Sequence, residues 1–555
     1  MTLYDEYIES VSSGATCSSL LTRCSVERHL QDLESSEYVF DRKKADKAIR
    51  FICALRHTKC SATGNPFNLQ PWQAFLIAML FGWRRKDGRL RFNKAYIEVA
   101  RKNGKSELMA AIALYLLLVF GEPGAEIYSA ATKRDQARLV FDAAVKMLKS
   151  LRLESNFIKN NTDIFRNKIY YETYDGKFQP LGRDHDSEDG SNPSCAIIDE
   201  YHAHKTSELL EVMESGMGSR DNPLLLIITT AGFNIESPCY NYRQSVSNIL
   251  KGDAIDDHTF ACIWTLDEGD EWDDPNVWIK ANPNLDISVK RDFLQSQVQQ
   301  AKNEGPSKEN GFKVKNLNIW VNSAEGWISG DVWKSSREKF TLDQLHGAPC
   351  FVGMDLATVR DIAAVCLFFP PREDGKLARL LWKFYVPEAM LTQREDGKVN
   401  YKRWAQDGHL VVTQGNVIDY RHIIDDIVEI SKVVQIVSLG YDSWNSKYVI
   451  PELGERGVQC APVSQYFSGL SEPMKYVERM AYSDQIHHNN NPVMDWMLGN
   501  VAVLKDTNGN IKPNKSKSAD KIDGVAAMLN AVSVWLNTEN EDNTSYYDDN
   551  DLIFV

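Results

Sequence analysis

The sequence predicts an α/β protein in which a doubly wound, mostly parallel sheet is followed by a second α/β domain. Three observations carry this. Apolar runs of strand length alternate with helical patterns from Ala95 onward, as in sheets covered by helices on both faces. Two early runs lead into Gly104-Lys105-Ser106 and Asp199-Glu200, a phosphate loop and its metal-binding partner strand. Later, three apolar segments each carry an aspartate at one end, at Asp355, Asp442 and Asp523.

At 555 residues the chain exceeds what one hydrophobic core supports, and 43% apolar with 25% charged residues describes a globular protein. The longest apolar run, Leu108 to Phe120, is too short to span a bilayer and reads as a buried helix. No basic segment followed by an apolar core opens the chain, and the ten cysteines lack C-x-x-C spacing. A protein that is not secreted, with reduced thiols and no membrane partner, is expected.

The formal net charge is −13, yet the distribution is uneven. Between Arg84 and Lys105 nine basic residues face only Asp87 and Glu98, and Lys505 to Lys521 carries five lysines against Asp506 and Asp520. Either run is a nucleic-acid footprint or a solvated basic face. Glu539 to Asp551 has six acidic residues and no basic one, which predicts a disordered tail.

In chain order, residues 1–65 read as a helical segment, with an amphipathic stretch from Tyr38 to His57. Pro71 suits a helix start, and Gln70 or Gln73, upstream of the loop at Gly104, could read an adenine edge or be an ordinary polar helix residue. Residues 66–325 form the expected ATPase domain. Its strands are Ala95 to Ala100, Glu126 to Ala131, Cys195 to Ile198 and Leu224 to Thr229; its helices are Glu107 to Phe120 and Lys133 to Leu151. The stretch Pro275 to Pro283 and the segment Asn322 to Ser335 look like connections, with a linker at 326–345, a nuclease domain at 346–537 and the tail at 538–555.

The first site has a residue for each task of a P-loop NTPase. The loop Arg101-Lys102-Asn103-Gly104 would cradle phosphates through backbone N–H groups at a helix N-terminus, and Lys105 would reach the β- and γ-phosphates. Ser106 and Asp199 would hold Mg²⁺, and Glu200 would activate the attacking water on ATP. Val99 stands where the pattern places its first glycine, which marks a variant loop. Thr229, Thr230 and Gly232 end a strand beside the nucleotide and could couple hydrolysis to movement.

In the second domain, Phe351 to Asp355 and Ile362 to Phe369 read as a hairpin, Ile436 to Asp442 as a strand ending in a carboxylate, and Asp523 as the start of an apolar helix. Hairpin, strand and helix with an aspartate on each is the order of an RNase H-like nuclease. Asp355, Asp442 and Asp523 would bind two Mg²⁺ or Mn²⁺ ions for phosphodiester cleavage.

With these motifs in place, the sequence resembles the large terminase subunits of tailed bacteriophages, in the branch typified by phage HK97. The resemblance rests on Val99-Ala-Arg-Lys-Asn-Gly-Lys-Ser106, Ile197-Ile-Asp-Glu-Tyr-His202, Ile228-Thr-Thr-Ala-Gly232, Gly353-Met-Asp355, Tyr441-Asp442-Ser-Trp444 and Lys521-Ile-Asp-Gly524. These cover nearly the whole chain in the family's order, and the loop lacking its first glycine is characteristic of that branch. The resemblance implies a genome-packaging motor: an ATPase that drives double-stranded DNA into a procapsid and a nuclease that cuts concatemers, acting in the host cytoplasm. It implies as partners a portal protein, a small terminase subunit and further copies in a ring of five. A ring ATPase also needs an arginine finger, for which Arg101, Arg134 and Arg138 are candidates.

His202 and His204 lack partners at zinc-site spacing and read as supporting elements. Asp495, shortly after His487-His488, reads as a surface residue or a fourth nuclease carboxylate. The alternatives are a helicase-like DNA translocase fused to a resolvase-type nuclease, and a DNA-binding scaffold with a degenerate ATPase. The intact Lys105, Ser106, Asp199 and Glu200 disfavour the second.

Overall fold

The structure is a computed structural model describing residues 1–59, 62–181, 191–235, 237–322, 327–356, 361–371, 377–393, 401–444, 446–515, 518 and 521–548. It divides into two compact units, Met1–Gln300 with Gly311–Trp320, and Ala301–Asn310 with Val321–Val555.

In the first unit, strands β1 (Val39–Phe40) and β2 (Trp83–Arg84) form a small antiparallel pair. The main sheet contains β3 (Lys94–Glu98), β4 (Glu126–Ala130), β5 (Thr162–Ile164), β6 (Ile169–Tyr171), β7 (Gly176–Leu181), β8 (Cys195–Asp199), β9 (Leu224–Thr229) and β10 (Thr259–Ile263). Their order is β10-β3-β9-β8-β4-β7-β6-β5. The six strands from β10 to β7 run parallel, and β7-β6-β5 continue as an antiparallel edge. Every residue of β8, β9 and β10 is buried, because helices cover both faces. That is why these strands read as unbroken apolar runs. The chain leaves β3, crosses β9 and β8 and returns as β4, so the ends of β3, β9 and β8 flank the crevice where open α/β sheets take ligands.

Pro71 does occupy the first turn of a helix, Pro71–Gly82, buried on all sides but its first residue. The expected helix after the loop begins at Lys105 and runs to Tyr115, then loosens into a π turn, Leu116–Phe120, ended by Gly121 in the left-handed region. The edge strands β5 to β7 and strand β10 escaped the sequence reading; β5 and β6 have only three residues each, too few for a period to register.

The second unit holds a sheet of β11 (Pro349–Asp355), β12 (Ala363–Phe369), β13 (Ala378–Pro387), β14 (Val411–Thr413), β15 (Gln435–Tyr441), β16 (Cys460–Pro462) and β17 (Ile486–His488), in the order β14-β13-β12-β11-β15-β16 with β17 on β13. The hairpin β11–β12 is antiparallel with Asp355 opposite Ala364, and β15 joins β11 in parallel, with Tyr441 opposite Met354. A two-stranded ribbon, β18 (Val503–Lys505) and β19 (Ile511–Pro513), follows.

The helix Asp523–Asp548 lies against this sheet at backbone distance. A methyl group on Gly353 would fall 1.9 Å from the Ala527 carbonyl oxygen, and one on Gly440 would fall 2.4 Å from that of Asn530. Asn530, fully buried, donates to the Met354 carbonyl at 2.9 Å, which ties the helix to β11 one residue before Asp355. The helix continues to Asp548, where the acidic composition predicted disorder from residue 538; residues 549–555 lie outside the described residues. The expected linker also differs. Trp327 and Trp333 are 2% exposed and belong to the second unit's core, since two indoles bury more apolar area than a connection can leave in water. Among the described residues no helix is long and apolar enough to cross a membrane.

Candidate active sites

The loop after β3 turns through two left-handed residues, Lys102 (φ 69°) and Gly104 (φ 86°), and delivers Lys105 to the first position of its helix. The Lys105 ammonium folds back to donate to the carbonyls of Val99 at 2.6 Å and Ala100 at 3.2 Å. Burial lowers its pKa to about 8, against the opposing pull of Glu200 and Asp199. Asp199, 3% exposed at the end of β8, is raised to about 7 by burial and by Glu200, with Lys105 acting in the other direction. Lys105, Asp199 and Glu200 are therefore within electrostatic reach of one another at the sheet crevice.

Glu200 itself has left-handed backbone (φ 52°), and its N–H donates to Asp199 Oδ1 at 2.8 Å. Its Oε2 is buried without a hydrogen bond, 3.1 Å from His202 Nδ1. Burial pushes His202 down to about 4, so the ring is neutral near pH 7. The His202 N–H donates to Thr229 Oγ1 at 3.0 Å, and the Thr229 hydroxyl donates to the Thr230 carbonyl at 2.8 Å. The Asp-Glu segment is thus joined directly to the end of β9. His204 lies 3.4 Å from the Asp199 carbonyl through Nε2, a supporting contact.

Two sets of residues around this site were not legible in the sequence. The first is Asn282 and Asn284, at the end of and just after the stretch that reads as a connection. Asn284 N–H donates to Asn103 Oδ1 at 3.0 Å, its side chain donates to the Asn103 carbonyl at 3.3 Å, and Asn103 donates to Asn282 Oδ1 at 3.1 Å. Trp72 Nε1 closes the clamp by donating to Asn284 Oδ1 at 2.7 Å. The second is Glu98, fully buried at the root of the loop. It accepts from Tyr96 at 2.5 Å, Arg243 at 3.2 Å and Asn318 at 3.1 Å. Asn318 in turn accepts from the Ala231 N–H at 2.7 Å, and a methyl group on Gly232 would lie 2.8 Å from the Trp320 ring. The Thr229 to Gly232 turn is therefore wired to the loop's root and to the last residues of the first unit.

Gln73 is buried with its amide nitrogen 3.4 Å from the Cβ position of Gly104, whereas Gln70 caps its helix. Ser106 follows Lys105 in the first helical turn. Arg101 is exposed, with its N–H donating to the Lys315 carbonyl at 3.0 Å. Arg138 is engaged within its own unit by Asn167 at 2.6 Å and Asp142 at 3.3 Å; the Arg134 side chain lies outside the described residues.

The basic run from Arg84 to Lys105 does not form one face. Arg91 is fully buried, paired with Asp32 at 2.6 Å and stacked 4.1 Å from the Tyr38 ring centroid. Arg89 pairs with Asp221 at 2.9 Å, Lys94 pairs with Glu214, and Lys105 belongs to the loop. Partners distant in sequence take up part of what composition displays as an excess.

In the second unit, Asp355 is 8% exposed at the end of β11. Its Oδ2 carries no hydrogen bond and has the Lys515 ammonium at 3.5 Å. Burial raises its pKa, with Asp442 and Asp361 adding repulsion. Asp523, at the start of the long helix, is held well above the carboxylate range by burial, then by Asp355 and Asp361, and its Oδ2 is also buried without a hydrogen bond. Trp382 Nε1 fixes the helix start by donating to the Gly524 carbonyl at 3.0 Å. Asp442 accepts from the Trp444 N–H at 3.2 Å. Asp361, paired with Lys521 at 2.7 Å, is a fourth carboxylate in this neighbourhood that sequence reasoning passed over. Among the described residues no three His, Cys, Asp or Glu side chains are drawn tightly enough to hold a metal ion. Orphaned carboxylate oxygens in mutual repulsion nonetheless suit hard divalent cations, which take oxygen ligands.

Asp495 is not part of this group. It accepts from Trp333 Nε1 at 2.9 Å and pairs with Arg337, while His488 stacks on Trp333 with centroids 4.2 Å apart. Two strong donors use both its oxygens, which makes it a packing contact.

A phosphate loop and Asp-Glu strand on a parallel sheet, followed by carboxylates on a hairpin, a strand and a helix, define a P-loop ATPase joined to an RNase H-like nuclease. Residues 71–248 match the terminase large subunit ATPase domain, and residues 253–539 match the terminase large subunit endonuclease domain. Protein YmfN of Escherichia coli (strain K12) is 38% identical over 368 residues, 64% of this chain and 80% of that protein. The terminase large subunit of Enterobacteria phage HK97 is 26% identical over 501 residues, 88% and 95% of the two chains. The crystal structure of the HK97 bacteriophage large terminase has a TM-score of 0.44 and 24% identity, covering 88% of this chain and 99% of that one. The chain belongs to the terminase large subunit family. It is an ATPase and an endonuclease that works on DNA with the phage packaging machinery, using nucleotide and divalent metal.

Proposed function

We propose that ATP turnover runs on Lys105, Ser106, Asp199 and Glu200 in the first unit, and DNA cleavage on Asp355, Asp442 and Asp523 in the second. The observation that carries the first assignment is the mutual burial of Lys105 and Asp199 beside Glu200 at the crevice between β3 and β8. On ATP binding, Lys105 leaves the Val99 and Ala100 carbonyls for the β- and γ-phosphates, while N–H groups of Lys102 to Gly104 line the phosphates and Gln73 faces the adenine. Ser106 and Asp199 hold Mg²⁺. Glu200 Oε2, free of protein hydrogen bonds, takes the proton of the attacking water. The link from His202 to Thr229, and from Ala231 to Asn318, relays loss of the γ-phosphate to the end of the unit.

In the nuclease, Asp355, Asp442 and Asp523 would hold two Mg²⁺ or Mn²⁺ ions, which would supply Lewis acidity for phosphodiester cleavage. The orphaned oxygens of Asp355 and Asp523 support this reading. The motor acts in the host cytoplasm as a ring of five copies on the portal, guided to DNA by a small terminase subunit. The arginine finger is supplied by Arg101, in the loop itself, or by Arg134, at the start of the helix after β4; Arg138 is engaged by Asn167 and Asp142.

Plasmid cleavage in Mg²⁺ and Mn²⁺, with ATP turnover read on the same samples, tests both assignments. Asp355→Ala should lose cutting and keep turnover; Lys105→Ala should do the reverse. Glu200→Gln should bind ATP and fail to turn it over. An Asp355→Ala protein that cuts like wild type overturns the nuclease assignment.

A further inference from the structure

Trp444 is 84% exposed two residues beyond Asp442, whereas Trp327, Trp333 and Trp382 of the same unit are at most 3% exposed. It is not alone. Tyr448 is 59% exposed on the same loop, and Tyr466 is 75% exposed on the loop after β16. Pro462 of β16 pairs with Tyr441 of β15, and Val463 N–H donates to the Tyr441 carbonyl at 2.8 Å, so both loops leave the sheet at one edge. That is the edge where β11 delivers Asp355, since Met354 pairs with Tyr441.

Cations border the same edge. Lys512 lies 5.7 Å from the Tyr466 ring centroid, and Lys515, three residues later, lies 3.5 Å from Asp355 Oδ2. Exposed rings alternating with ammonium groups beside a nuclease centre are what a nucleic-acid strand requires: flat faces for bases and positive charge for phosphates. The Trp444 N–H bond to Asp442 Oδ1 fixes the indole's backbone to a carboxylate of that centre.

We propose that Trp444 is a DNA-contact residue that stacks on a nucleobase at an unstacked or kinked step beside the cut, with Lys512 and Lys515 facing the flanking phosphates. This rests on the nuclease assignment above. Inserted apolar side chains unstack base steps in duplexes bound by other proteins, and stacking tolerates any base. Trp444 thereby holds the strand in register for cleavage without dictating a sequence.

The test uses the full chain without ATP, comparing wild type with Trp444→Ala, Trp444→Phe and Asp355→Ala. Ca²⁺ replaces Mg²⁺ for binding of a labelled duplex carrying 5-iodo-deoxyuridine, with photo-cross-links located by mass spectrometry; plasmid cleavage in Mn²⁺ gives KM and kcat. Trp444→Ala should weaken duplex binding and raise KM by about tenfold, with kcat falling less, and should lose a cross-link that wild type places at residue 444. Trp444→Phe should restore most of both. Wild-type KM in Trp444→Ala, no adduct at residue 444, or failure of phenylalanine to rescue would each overturn the proposal. Cutting by Asp355→Ala would instead overturn the nuclease assignment on which it rests.

Discussion

The Lys105 ammonium donates at 2.6 Å to the carbonyl of Val99, the residue standing where the P-loop pattern has its first glycine. Glycine is needed where the backbone turns left-handed, and here that happens at Lys102 and Gly104 and not at Val99. Val99 is fully buried. Val99→Gly should therefore lower stability by about 2–4 kcal/mol, from lost burial and added chain entropy, with no gain in ATP turnover. Urea unfolding and a turnover assay check this; a faster or more stable variant would refute it.

Asn284 serves three partners at once: Trp72, Asn103 and Ser288, the last at 3.2 Å. Asn284→Ala leaves the Trp72 N–H and the Asn103 carbonyl buried and unpaired, costing about 2–3 kcal/mol of stability. Because Asn103 lies within the phosphate loop, the KM for ATP should rise about tenfold, in line with a lost positioning contact of about 1.4 kcal/mol. An unchanged KM would show that the loop holds its shape without the clamp.

These residues mark the limit of what the sequence discloses. Lys105, Asp199, Asp355 and Asp442 were legible because each follows or ends an apolar run whose length identifies a strand, and strand ends are where α/β sites form. Asp523 was legible from the apolar helix it opens. Asn284 meets Asn103 across 181 positions, and Glu98 meets Asn318 across 220, so nothing local distinguishes them from loop asparagines and a strand carboxylate. Arg91 failed in the opposite direction. It looks like part of a basic footprint until Asp32, 59 positions earlier, takes its charge.

His29 accepts from Trp83 Nε1 at 3.1 Å amid the rings of Phe40, Phe75 and Trp83, and burial pushes its pKa down to about 4. The folded-state value lies below the unfolded value of about 6.5. Above that pH neither state binds the proton and nothing is lost. As pH falls from about 6.5 toward 4, the unfolded state alone takes up the proton, so stability falls. Between pH 7 and 5 this group should cost about 2 kcal/mol. His29→Gln keeps an acceptor for Trp83 and cannot titrate, so urea unfolding at the two pH values should show a smaller loss in the variant. Equal losses would remove His29 from the account.

Gly353 stands two residues before Asp355, and the space above it is filled by backbone: the Ala527 carbonyl oxygen would be 1.9 Å and the Ala531 nitrogen 2.4 Å from an added Cβ. A helix backbone held by its own hydrogen bonds cannot yield as a flexible side chain would, so the helix itself must shift. That shift would pull Asn530 from the Met354 carbonyl and Asp523 from its place beside Asp355. Gly353→Ala should cost the nuclease unit about 3 kcal/mol or more, at or beyond the usual range for overpacking, and should abolish DNA cutting. ATP turnover should persist, because the substitution touches none of the residues around Lys105. Thermal unfolding with cleavage and turnover on the same preparation decides the matter: wild-type cleavage would mean that the helix can slide on β11 without disturbing the carboxylates.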